Sequence, residues 1–182
     1  MHSMKRRKPY PDDLSDKEWK LIEPIFEKKL SKRGRKPTHP KRELLNAIFY
    51  LVRTGCSWRN LPHDFPPWKT VYTQFRRWQK SKFLEKLHHT LRNRLRKQLE
   101  REEEPSAGIV DSQSIKTTDK GGIKGYDGNK KIKGRKRHIL VDTQGFLLAA
   151  QVTEANLNDR EGLMQLLEKI KGCYKELKKN LG

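Results

Sequence analysis

Acidic residues are scarce in this 182-residue chain: 22 Asp and Glu stand against 42 Lys and Arg, a formal charge of +20. An excess of that size exceeds what solubility asks for and points to a polyanionic partner. Cysteine is nearly absent. Cys56 and Cys173 lie far apart in sequence, each in an apolar or turn context, which excludes a disulfide framework and a cysteine-based zinc site. Long apolar runs are missing too, and the mean hydropathy is −1.00. No window approaches the ~18 consecutive apolar residues of a spanning helix. The opening "MHSMKRRKPYPDD" has no apolar centre of the kind a secretory leader needs. The expectation is a cytoplasmic protein with reduced cysteines and no membrane partner. At this length the chain makes one ordinary domain or two small ones.

Charge then divides the chain. Residues 1 to 98 carry +17, residues 99 to 109 carry −3 and residues 110 to 182 carry +6. The acidic stretch "EREEEPSAG" contains Pro105, which a helix cannot run through, and Gly108. Two units are therefore expected, 1–101 and 109–182, with 102–108 as linker.

The first unit reads as helical. "LSDKEWKLIEPIFEKKL" begins with Ser15 and Glu18 in capping-box spacing and carries Trp19, Leu21, Ile22, Ile25 and Phe26 on a stripe that Pro24 should kink or split. After the basic "RGRKPTHPKR", Leu44, Leu45, Ile48, Phe49, Leu51 and Val52 recur with the period of a buried helix. A turn rich in proline and glycine follows. Next, Trp68, Val71, Tyr72, Phe75 and Trp78 form an apolar stripe, with Lys69, Thr70, Thr73, Gln74, Arg76, Arg77 and Lys80 on the remaining surface. Helix, turn, and a second helix with one apolar and one basic face is a helix-turn-helix-like pattern. Lys and Arg would neutralise phosphates, while Thr70, Gln74, Arg76 and Arg77 have the chemistry to read base edges. Two packed helices with solvated outer faces would give the same pattern. A last helix repeats Phe83, Leu87, Leu91, Leu95 and Leu99 every fourth residue.

The second unit changes period. "GIVDSQSIK" is β-rich, "RHILVDTQGFLLAAQVTEA" reads as two strands around the turn "DTQG", and "NDREGLMQLLEKIKG" has helical spacing over roughly 160–171. Between them, "TTDKGGIKGYDGNKKIKGRKR" reads as a glycine-rich basic loop. Its Lys130, Lys131, Lys133, Arg135, Lys136 and Arg137 are candidates to track a nucleic-acid strand, with the glycines allowing close backbone approach. No phosphate-binding P-loop spacing occurs in it. Asp111 stands out as a carboxylate in an apolar strand. There it either faces solvent at a strand end or is compensated by a cation. Asp142 and Asp159 fit structural roles, in the hairpin turn and at a helix start.

On "LSDKEWKLIEPIF", "RTGCSWRNLPHDFPPWKTVYTQFRRWQ", "IVDSQSIKTTDKGG" and "KGYDGNKKIKGRKRHILVDTQGFLLAAQVTEANLNDREG", the chain resembles bacterial insertion-sequence transposases of the DDE type, in the group related to insertion sequences four and five. The resemblance implies an α plus α/β protein: a helical DNA-binding domain followed by the first part of a ribonuclease-H-like catalytic domain. It makes Asp111, in "VDSQS", the first catalytic and metal-binding carboxylate. It also implies two Mg²⁺ ions, about 3.5 to 4 Å apart, serving successive in-line phosphoryl transfers. Implied partners are double-stranded DNA of the element's terminal repeats and of the target, with a nucleoid-associated location. A homo-oligomer or a completing C-terminal segment is a further expected partner. The family's second Asp and its Glu would follow the helix near 160–171, so the resemblance reads this chain as C-terminally truncated. Its alternative is a catalytically inactive DNA-binding protein that represses or competes with transposition. A basic RNA-associated helical protein is a third reading.

Overall fold

The computed structural model describes residues 7–26, 37–117, 122–174 and 176–177, and divides into two compact units, 1–91 and 92–182. The first unit is helical. Helix α1 (Asp16–Phe26) starts at the capping box: the Ser15 N–H donates to Glu18 Oε2 at 2.8 Å, and the Glu18 N–H donates to Ser15 Oγ at 3.2 Å. Pro24 does not split it. The proline lies inside the continuous helix, near its C-terminal end. Helix α2 (Lys41–Thr54) ends at Gly55, whose φ of 68° is the left-handed cap that a glycine adopts without strain; its N–H donates to the Leu51 carbonyl. Helix α3 (Trp68–Lys80) follows a connector, residues 55–67, holding a 3₁₀ turn at Trp58–Asn60. That connector is far longer than the 3–4-residue turn of a helix-turn-helix, so the helices keep the expected order without that motif's short turn.

The core of this unit joins Ile22 and Phe26 of α1, Leu44, Leu45, Ala47 and Ile48 of α2, and Val71 and Trp78 of α3, with Leu61, Phe65 and Leu87. Aromatic edges meet inside it, Phe26 against Trp78 with ring centres 5.5 Å apart.

Helix α4 (Phe83–Gln98) contains the division between the units. The boundary thus falls earlier than the 102–108 linker expected from charge. The leucine ladder explains why. Leu87 is buried, but Leu95 and Leu99 are about half exposed, whereas Arg92 and Arg96 are buried. Arg92 Nη1 donates to the Tyr174 hydroxyl at 2.7 Å, and Arg96 pairs with Asp142 and donates from Nε to the Glu102 carbonyl at 2.7 Å. The last turns of α4 therefore belong with the second unit through arginines, not leucines.

The second unit is an antiparallel sheet carrying one helix. Strand β1 (Gly108–Lys116) pairs with β3 (Ile132–Asp142), in a register that sets Asp111 opposite Ile139. Strand β4 (Leu147–Glu154) pairs with the other side of β3, and short β2 (Gly125–Asp127) pairs with residues 132–134. The expected basic loop is thus largely a hairpin, β2 turning into β3. Its turn is fixed by Asp127, whose Oδ1 accepts from the Asn129 and Lys130 N–H groups at 3.2 and 3.1 Å. Residues 118–121 of that loop lie outside the described residues. Helix α5 (Asp159–Ile170) is capped by Asn158, whose Oδ1 accepts from the Glu161 N–H at 2.7 Å. Leu166 and Ile170 of α5 join Leu140, Leu148, Tyr174 and Leu177 in the unit's core. Period-2 alternation does the sorting along β3: residues 134, 136, 138, 140 and 142 are buried, and their odd-numbered neighbours are half-buried or exposed.

Candidate nucleic-acid interface

Two surfaces collect the residues singled out from sequence. The first is the outer side of α3. Val71 and Trp78 anchor the helix in the core, and the 3.6-residue period then turns Lys69, Thr70, Thr73, Arg76, Arg77 and Lys80 outward, all exposed, with Gln74 half-buried beside them. Arg76 Nη1 donates to Gln79 Oε1 at 3.1 Å, and the Lys69 ammonium lies 5.8 Å from the Trp68 ring centre. No acidic residue occurs in α3.

The second surface is the face of the sheet opposite the buried, even-numbered side of β3. Asp111 is exposed there, the solvent-facing one of the two alternatives, though in the middle of β1 and not at a strand end: β1 alternates, and Asp111 shares its exposed side with Ile109, Gln113 and Ile115. The carboxylate needs no compensating cation to be tolerated, because water solvates it. By register and alternation, Lys133, Arg135 and Arg137 of β3 share this face with Asp111. Arg137 Nη2 donates to Gln113 Oε1 at 2.7 Å, and Arg135 Nε donates to the Ile123 carbonyl at 2.8 Å, so both guanidiniums are held in place. Lys130 and Lys131 are exposed in the hairpin turn.

Lys136 departs from this group. It is buried on the opposite face, 3.0 Å from Asp159 and 3.7 Å from Asp127, and its ammonium donates to the Leu157 carbonyl at 2.7 Å. A side chain so engaged is a structural cation and not a solvent-facing contact. Its hydrogen bond is the chief reason the Asp159 carboxyl is held below the ordinary range, with a further hydrogen bond from Ser112. The Asp127 carboxyl is lowered first by the Ser114 hydroxyl, which donates to Oδ2 at 2.5 Å, and then by the Lys130 N–H. Asp142 is fully buried and accepts from the Gln144 and Phe146 N–H groups at 2.9 and 2.8 Å, fixing the β3–β4 turn as expected.

Sequence reasoning passed over His138. It is fully buried on β3, its Nε2 lies 3.1 Å from the Thr153 hydroxyl, and its Nδ1 has no hydrogen-bond partner among the described residues. The signal was the run "RKRHILVD", where His138 falls on the same side as Leu140.

A Mg²⁺ site fits these residues poorly. A two-metal centre needs several carboxylate oxygens around the ions. Asp111 faces the sheet surface among Ile109, Gln113 and Ile139, and among the described residues no group of three His, Cys, Asp or Glu is close enough to hold a metal ion. No described helix is long and apolar enough to cross a membrane.

What the two units define as a class is a strongly basic protein of mixed architecture: a helical N-terminal unit followed by an antiparallel sheet whose exposed face carries a row of cations together with the Asp111 and Glu154 carboxylates. Within that class, the chain belongs to the insertion-sequence 4/5 group of DDE transposases. Residues 14–88 match the family model described as "Putative transposase of IS4/5 family (DUF4096)", and residues 102–175 match "Transposase DDE domain", the domain of an enzyme family that cuts DNA by phosphoryl transfer. A curated relative from Burkholderia cepacia, "Insertion element IS402 uncharacterized 16.2 kDa protein", is 29% identical over 113 residues, covering 59% of this chain and 76% of that protein. No solved structure matches the chain.

Proposed function

We propose that this chain binds the end DNA of an insertion element, with α3 as the duplex-contacting helix and the Asp111 face of the sheet as the surface that meets the strand to be cut. The observation that carries the reading is the outer side of α3, where exposed Lys69, Arg76, Arg77 and Lys80 stand opposite buried Val71 and Trp78 with no acidic residue in the helix. Phosphates are neutralised by such a row, and Thr70, Gln74 and Arg77 supply donors and acceptors for base edges. The ribonuclease-H-like character of the second unit belongs to the same proposal, with Asp111 as the first catalytic carboxylate; a divalent metal there would need more carboxylates than the described residues bring to it.

Fluorescence anisotropy with an element-end duplex over a salt series tests the α3 assignment. Lys69→Ala and Lys80→Ala are expected to weaken binding to every sequence and each to flatten the salt slope by about one. Gln74→Ala and Arg77→Ala are each expected to narrow the gap between element-end and scrambled DNA by ~1–3 kcal/mol, the discrimination that one bidentate pair with a base edge supplies. An unchanged preference in both would remove α3 from base reading.

A second reading, DNA binding without catalysis as a repressor or competitor of transposition, is favoured by the lack, among the described residues, of a group of three His, Cys, Asp or Glu that could hold a metal ion. Incubating the chain with Mg²⁺ and labelled element-end DNA separates the two. Nicks that disappear in Asp111→Ala establish catalysis, and binding without nicks leaves the second reading.

A further inference from the structure

Tyr126 is an exposed aromatic ring that neither the fold nor the α3 surface uses. It lies on β2 with 57% of its surface exposed, between half-buried Gly125 and buried Asp127. The alternation puts Asp127 on the inner side, where it meets Ser114 and Lys136, and Tyr126 on the outer side. Its cross-strand partner is Lys133, the first residue of the Lys133, Arg135, Arg137 row. That row ends beside Ile139, the partner of Asp111. One face of one sheet thus carries, in order along β1, β3 and β2, a carboxylate, three cations on a single strand and an exposed aromatic ring, with the exposed Glu154 of β4 flanking the row opposite Arg135. From Ile139 to Lys133 is six residues of β3, about 20 Å at ~3.3 Å per residue.

We infer that this row is a track for a single DNA strand and that Tyr126 is its stacking platform for an unpaired base at the element end. The inference rests on the DNA reading above and adds a ligand state to it. Cations at every second residue of a strand match a backbone of repeated phosphates, and Arg135 and Arg137 are already oriented by Ile123 and Gln113. A duplex presents phosphates to such a row but keeps its bases stacked on one another. Inside a duplex a tyrosine ring finds a π-face only on a base that has left the stack, and stacking of this kind is tolerant of sequence. The hairpin turn, closed by the Asp127 hydrogen bonds, holds Tyr126 at the end of the row.

The test uses the full chain, a blunt element-end duplex, and the same duplex with a three-nucleotide single-stranded tail carrying 2-aminopurine. Wild type is expected to bind the tailed duplex more tightly and to quench the 2-aminopurine. Tyr126→Ala should lose about 5- to 150-fold in affinity for the tailed duplex, lose the quench, and leave blunt-duplex binding within twofold. Tyr126→Phe should keep both, since it keeps the ring. If Tyr126→Phe fails as badly as Tyr126→Ala, the hydroxyl and not the ring makes the contact and stacking is overturned. If blunt duplex is bound but the tail brings no gain and no quench, this inference fails while the α3 reading stands. Binding of neither DNA by wild type sinks both.

Discussion

Replacing Asp142 by alanine is expected to remove about 3–5 kcal/mol from the second unit, the cost of breaking a buried ion pair by deleting one partner. The carboxylate is completely buried, pairs with Arg96, and accepts two turn N–H groups from Gln144 and Phe146. Its removal strands a buried guanidinium and two amides together. Domains of this size have total stabilities of ~5–15 kcal/mol, so the unit should approach unfolding. Arg96→Ala should cost a similar amount, because it leaves the carboxylate buried beside two amides alone. The combination Arg96→Met with Asp142→Asn should recover much of the loss: an amide oxygen still accepts from the turn, and no charge is left buried. All four tryptophans lie in the first unit, at positions 19, 58, 68 and 78. Tryptophan fluorescence during urea unfolding should therefore change little in Asp142→Ala, while hydrogen-exchange protection of the β3 amides collapses. Protection within ~0.5 kcal/mol of wild type in Arg96→Ala would show that the pair does not hold the unit.

That pair also marks what could be read in advance and what could not. Periodicity located α1, α2, α3, the β3–β4 hairpin and α5, because each carries enough apolar residues at one period to reveal its buried side. Asp142 in a "DTQG" turn was legible for the same local reason: a short side chain that reaches its own next amides. Arg96 was not. An arginine four residues after Arg92, in a helix with a leucine ladder, reads as solvated surface, and only a partner 46 residues away turns it inward. Leu95 and Leu99, which continue the ladder, stay about half exposed as the arginines turn inward. The β2–β3 hairpin was hidden by composition, since glycine and lysine lower strand propensity, and it forms because cross-strand pairing and the Asp127 hydrogen bonds outweigh that preference. Asp111 was found from sequence, but its exposure depended on which parity of β1 faces α5, and "GIVDSQSIK" has apolar residues at both parities. Lys136 and Arg137 show how narrow such a distinction is. Adjacent in a basic run, they point to opposite faces, one into an ion-pair cluster and the other onto the Asp111 surface.

Acidification should weaken the second unit, and His138 should account for a measurable share of the effect. Its imidazole is fully buried, with Nε2 at the Thr153 hydroxyl. Gly162 of α5 packs so closely that a Cβ there would lie 2.1 Å from His138 Cε1 and 2.3 Å from Nε2. No room is left for water to solvate an imidazolium. Burial is the main cause that lowers the pKa from 6.5; Lys136 and Lys130 lower it further, and Asp159 opposes them. Because the folded-state pKa lies below the unfolded value, the unfolded chain binds the extra proton first. The stability that neutral His138 contributes is therefore complete above pH 6.5 and is lost as the pH falls below it, down to the folded-state pKa. One such group sets a limiting slope of ~1.4 kcal/mol per pH unit within that window. His138→Gln keeps a hydrogen-bonding side chain without the titration and should flatten the profile just below pH 6.5. Gly162→Ala should destabilise the unit at every pH, since α5 or the ring must move to admit the methyl. β3 hydrogen exchange against pH reads both. Identical pH slopes for wild type and His138→Gln would assign the acid sensitivity elsewhere, the Lys136, Asp127 and Asp159 cluster being next in line: the two lowered carboxylates contribute stability at neutral pH that disappears only when they are protonated in more acidic solution.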